Sequence, residues 1–235
     1  NITISGKNAI LIVGSNYVQI IDNNLENIIA GEGKETIKLS NSSYNTIIDN
    51  IAEATGQMAL NLINSSDNNI SNNNLTAGPF HSIKLSSSNN NRIINNNLTA
   101  NGSVIDISGP SSDKNKFINN KITAIVSDLI SDVSDPDKYN YLIYNNSYGE
   151  ISWLNTSDLT ITEGGTLALG INLIISNNSI FLNSTALPSL NDSANLTLYD
   201  LVGVDSSPVA LRDNKDCTDI CGPITNISDD YFFNI

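Results

Sequence analysis

Positive charge is scarce in this chain. Its 235 residues hold 11 Lys and Arg against 24 Asp and Glu, a formal net charge of −13. Phosphate binding needs a Lys/Arg surface, so nucleic acid is excluded as a partner. Charge of either sign is low: 15% of residues, against about 25% in an average soluble protein. Aromatics are only 6%, which disfavours a groove that stacks sugar rings. One His and one Met leave few donors for a soft metal. No apolar run approaches the ~18 residues of a membrane-spanning helix. The opening "NITIS" has neither an initiator Met nor a charged leader, so more chain is expected before residue 1, removed or left out.

What fills the space is polar and uncharged. About one residue in six is Asn. A hydrophobic share of 40% still suffices for a core, so the chain is not read as disordered. There are 14 Asn-X-Ser/Thr sequons, at Asn1, Asn41, Asn64, Asn69, Asn74, Asn97, Asn101, Asn145, Asn155, Asn177, Asn183, Asn191, Asn195 and Asn226. The excess over chance is real but less than twofold. It points to an extracellular glycoprotein carrying N-linked glycans.

The asparagines recur in register. Aligning the runs gives the column Asn23, Asn50, Asn73, Asn96, Asn120 and Asn145, at steps of 27, 23, 23, 24 and 25 residues. Three residues before each stands Ile20, Ile47, Ile70, Ile93, Phe117 or Leu142. Two residues after come Leu25, Ala52, Leu75, Leu98 and Ile122, with Ser147 breaking the column. Upstream lie the pairs Ile10/Ile12, Ile37/Leu39, Leu60/Leu62, Ile83/Leu85 and Ile105/Ile107, and a degraded Ser131/Val133. Spacing of i, i+2 puts both side chains of a pair on one face of a strand.

Each copy therefore reads as strand, polar turn, strand, Asn corner, strand. Such a unit cannot bury its apolar face alone, but stacked copies share a continuous core. A tight corner needs a residue in or near the left-handed region, which Asn tolerates best after Gly. Stacked side-chain amides then bond to one another, offsetting the cost of burying them. The six column asparagines are the expected inward ladder, with their Asn neighbours facing water.

"IIDNNL", "ISNNNLTA", "IINNNLTA" and "FINNKITA" resemble the repeats of pectate-lyase-like and NosD-like proteins. The resemblance covers about residues 1–148 and implies an all-β fold, a right-handed parallel β-helix of about six rungs of 23–27 residues. The implied domains are this helix over 1–150 and a small β-sandwich-like domain over 151–235. "SANLTLYDL…SPVALRDNKDC…C…YFFNI" resembles a module that follows β-helix repeats in archaeal cell-surface proteins. Cys217 and Cys221, with three residues between them, are expected to close a small-loop disulfide outside the cell.

The motifs of the enzymes in this group are missing. There is no Gly-His-Gly and no Arg-X-Lys, and neither Arg92 nor Arg212 sits with paired acids in a repeat column. His81, in "GPFHSIKL", reads as a surface or turn residue. Copper delivery, which the NosD likeness implies, would call for His or Met ligands, and the chain has one of each. No cofactor is expected beyond a structural Ca²⁺ at Asp128, Asp132, Asp135 and Asp137; a solvated acidic loop is the competing reading.

Two functions follow. One is a non-catalytic, glycosylated structural subunit of an archaeal surface filament or surface layer, with copies of itself as partners. The other is an extracellular polysaccharide-binding or polysaccharide-lyase-like β-helix protein.

Overall fold

The computed structural model describes residues 2–4, 8–27, 35–134, 139–153, 160–201, 211–212, 215–216, 224–227 and 230–234. Three parallel sheets of six strands each run side by side. The first stacks Ile2–Ile4, Asn24–Asn27, Ile51–Ala54, Asn74–Ala77, Asn97–Ala100 and Lys121–Ala124. The second stacks Ile10–Val13, Ile37–Ser40, Leu60–Ile63, Ile83–Ser86, Ile105–Gly109 and Ile130–Ser134. The third stacks Gln19–Ile21, Thr46–Ile48, Asn69–Ser71, Arg92–Ile94, Lys116–Ile118 and Tyr141–Asn146. The chain visits the second, third and first sheets in turn, so this is a parallel β-solenoid of about five complete coils.

Register is fixed by the repeat. Asn74 pairs with Asn97, Leu75 with Leu98, Thr76 with Thr99 and Ala77 with Ala100. A slip of one residue would turn every apolar side chain outward. In the third coil Leu60, Leu62, Ile70, Leu75 and Ala77 are all at most 2% exposed. Their counterparts in the neighbouring coils extend one unbroken core.

The corners depart from expectation in an informative way. The left-handed residue is the one before the ladder asparagine. Asp22, Asp49, Asn72, Asn95 and Asn119 have φ of 53, 58, 56, 54 and 52°. Each turns the chain so that the next residue points inward. The turn between the second and third sheets repeats the device twice, first at Gly14, Asn41, Asn64 and Ser87, then at Tyr17, Tyr44, Asp67, Asn90 and Lys114.

Two readings of the last coil are corrected. The inward pair of its second-sheet strand is Ile130 and Asp132, which pair with Ile105 and Ile107; Ser131 and Val133 face out. At the last third-sheet strand no corner forms. Tyr144 sits where the earlier coils place a left-handed Asn or Asp. The strand Tyr141–Asn146 runs straight on, Tyr144 points inward and is fully buried, and Asn145 points out.

Beyond this strand the pairing becomes antiparallel. Gly149–Trp153, Ala194–Leu198, Asp230–Asn234 and Thr225–Ile227 extend the third sheet. Gly165–Leu167 pairs antiparallel with Lys121–Ala124 and continues the first. Trp153 meets Tyr144 edge to face, ring centroids 6.4 Å apart, and donates from Nε1 to Leu190 O at 3.1 Å. These two rings plug the end of the core. The expected boundary at residue 151 falls within the strand Gly149–Trp153.

Candidate functional site

The inward asparagines are structural. Asn96 Nδ2 donates to Asn120 Oδ1 at 3.0 Å, to Ile94 O at 3.0 Å and to Ile70 O at 3.0 Å. Its Oδ1 accepts from both Asn73 N and Asn73 Nδ2 at 2.9 Å. The same bonds link Asn23 to Asn50 and Asn50 to Asn73. Asn23 is half-buried, and the next four are buried. Asn145 is not in this ladder. It accepts from Asn119 Nδ2 on the outer side, and the Tyr144 hydroxyl donates to Asn120 O at 2.7 Å. Burial pushes the Tyr144 hydroxyl pKa up.

A second ladder escaped the sequence reading. Asn45, Asn68, Asn91, Asn115 and Asn140 are buried and bonded amide to amide, each step 2.9 or 3.0 Å. Beside it, the backbone N–H groups of Ser15, Ser42, Ser65 and Ser88 donate to the hydroxyls of Ser42, Ser65, Ser88 and Ser112. The signal was present, because an Asn precedes all but the first member of the first ladder by five residues, and a Ser by eight in four of those cases.

Asp132 belongs to this device. Its Oδ2 accepts from Asn140 Nδ2 at 2.8 Å, and its Oδ1 accepts from Ser134 N and Oγ. Asp128 is half-buried, while Asp135 and Asp137 lie outside the described residues. Among the described residues no three His, Cys, Asp or Glu side chains converge as a metal would require. Cys217 and Cys221 also lie outside the described residues.

The outer face of the second sheet carries two ion pairs. Glu35 Oε1 accepts from Lys38 Nζ at 3.2 Å and from Asn61 Nδ2 at 2.8 Å. Burial alone would raise the Glu35 pKa; its backbone hydrogen bond, Asn61 and Lys38 together hold it below the ordinary value. Two coils on, Lys84 Nζ lies 2.6 Å from Asp106 Oδ2, and His81 Nε2 lies 4.0 Å from the same oxygen. His81 Nδ1 is 2.8 Å from Ser103 O, which accepts its proton.

The third sheet carries a different group. Arg92, Lys116 and Tyr141 stand at one register position on successive strands. With Asn90 and Lys114 they line an open cleft of about 340 Å³.

The sequons sort by position. Asn41, Asn64, Asn101, Asn177, Asn191 and Asn195 are exposed, and Asn69, Asn74, Asn97, Asn145 and Asn183 are half-buried. None of these 11 is buried. Asn1 and Asn155 lie outside the described residues, and Asn226 is described only by its backbone.

Residues 1–157 match the family model described as "Periplasmic copper-binding protein (NosD)". No curated protein and no solved structure matches the chain. Among the described residues the donors do not fit a copper ion. His81 offers only Nε2, which faces an Asp106 carboxylate already neutralised by Lys84. Met58, the one thioether, is 9% exposed. A cation at His81 would meet the Lys84 ammonium rather than a second soft donor.

Proposed function

The chain belongs to the NosD family of parallel β-helix proteins, whose description is periplasmic, and from that premise we propose a non-catalytic, glycosylated structural subunit of an extracellular assembly. The observation that carries this reading is the sorting of asparagines. The ten inward ladder asparagines are Asn23, Asn45, Asn50, Asn68, Asn73, Asn91, Asn96, Asn115, Asn120 and Asn140, and none begins a sequon. For all ten this follows from the repeat, since the residue two past each is itself inward and apolar; the support lies in where the sequons fall instead. The six exposed sequon asparagines lie where an oligosaccharide can be attached, and the five half-buried ones lie outside both ladders.

One further feature supports the reading. The described polar clusters on the second sheet are closed ion pairs, with no activated nucleophile beside a base. Copies of the same chain are the proposed partners, in a filament or surface layer of archaeal type. Residues 151–235 are proposed as a β-sandwich-like module closing the other end of the coil. Intact mass and glycopeptide mapping of native protein test the reading. Glycans on outward sequons are expected; a mass equal to that of the bare polypeptide would sink the glycoprotein claim.

A further inference from the structure

Three of the chain's 11 basic residues, Arg92, Lys114 and Lys116, line the cleft on the third sheet described above. Among the described residues neither Arg92 nor Lys116 has a carboxylate within 4.0 Å, and Lys114 has only Asp113, at 3.8 Å. In a molecule of net charge −13 this is a local reversal of sign. Lys116 Nζ lies 5.7 Å from the centre of the Tyr141 ring, which fixes the ammonium at the wall.

Lys114 adds an independent observation. It adopts φ 55°, like Tyr17, Tyr44, Asp67 and Asn90 in its column, of which Asp67 and Asn90 take that conformation with less strain. A lysine there costs stability relative to Asn, and such strain is kept where the side chain serves a purpose.

We propose that this cleft binds an acidic sugar unit. Arg92, Lys114 and Lys116 take the carboxylate, while the Asn90 amide and the Tyr141 hydroxyl meet ring hydroxyls. A lone carboxylate side chain would leave most of about 340 Å³ empty, whereas the open cleft has room for a sugar ring. The source of the sugar lies close by. Asn69, a sequon, pairs in register with Arg92 on the adjacent strand, about 4.8 Å away. A glycan on Asn69 would start beside Arg92, at the end of the stripe Arg92, Lys116, Tyr141. That source rests on the glycoprotein reading; the cleft's chemistry does not.

The test uses the full chain made without glycans, titrated with a glucuronic-acid disaccharide and with its neutral methyl ester. The acid is expected to bind and the ester not. Arg92→Ala and Lys116→Ala weaken binding about tenfold, since each removes a charge-assisted contact. Lys121→Ala, on another sheet, changes nothing. Lys114→Asn weakens binding while raising the melting temperature, a split that a purely structural lysine would not produce. Equal binding of acid and ester, no binding of either, or full binding by the Arg92 and Lys116 variants overturns the proposal. In native protein, added disaccharide binding only after Asn69→Gln identifies the chain's own glycan as occupant. Equal binding with and without that substitution identifies a free acidic polysaccharide. A native chain of bare mass refutes glycosylation and leaves the titration standing.

Discussion

A buried asparagine normally costs stability unless every polar atom finds a partner. Here each amide serves its own coil and the next. Asn96→Ala orphans the Asn73 N–H, takes the side-chain donor from the Ile70 carbonyl, and leaves Asn120 Oδ1 and the Ile94 carbonyl with only the backbone N–H groups of residue 96 and Asn72. We expect a loss of about 3–5 kcal/mol, read by denaturant unfolding. Asn145→Ala, on the outer side, is expected to cost less than about 1 kcal/mol. Equal losses at the two sites would refute the ladder's end at Asn120. Glu35 makes a pH prediction. Its carboxylate is held below the ordinary value of 4.5, so its contribution is present above that value and lost as pH falls through the folded one. The melting temperature of the wild type should therefore drop more steeply in acid than that of Glu35→Gln; parallel curves would contradict this. At this scale the first ladder was legible because its asparagines sit in conspicuous runs. Asn45, Asn68, Asn91 and Asn115 were hidden because their neighbours are as polar as they are. The residue that bends the chain was misassigned by one position, since Asn95 and Asn96 look alike in sequence and differ only in φ.

A coil is the element that repeats, and each coil touches only its neighbours. Two adjacent coils, 51–73 and 74–96, have equal length, and the register carries Asn50 onto Asn73 and Asn73 onto Asn96. Deleting 74–96 therefore leaves the ladders and all three sheets continuous. The shortened protein is expected to unfold cooperatively with only a modest fall in stability, followed by circular dichroism. Deleting 74–90 instead breaks the 23-residue step and should give insoluble protein. The apolar columns made the coil readable over most of its length, because an i, i+2 pair between turn residues has few other meanings. The last coil was the exception. Asp132 occupies an inward position that the apolar pattern could not flag, since its partner Asn140 belonged to the unseen ladder. Tyr144 was equally opaque, because only packing against Trp153 shows that the strand runs straight.

At the scale of the molecule, two kinds of asparagine divide the work. The inward ones hold the coil, and the outward ones carry the sequons. Charge adds a further layer: the surface is acidic overall, and the third sheet holds the one described cleft lined by cations. The repeat made the fold readable from the sequence, but the cleft was not, since Arg92, Lys114 and Lys116 are spread over 25 residues and meet only when coils stack. The central claim is that this coil builds an extracellular assembly. Electron microscopy of the native protein, taken directly from its surface source, tests this most directly. The account predicts polymers or lattices whose repeat accommodates one solenoid. A field of monodisperse monomers would contradict it.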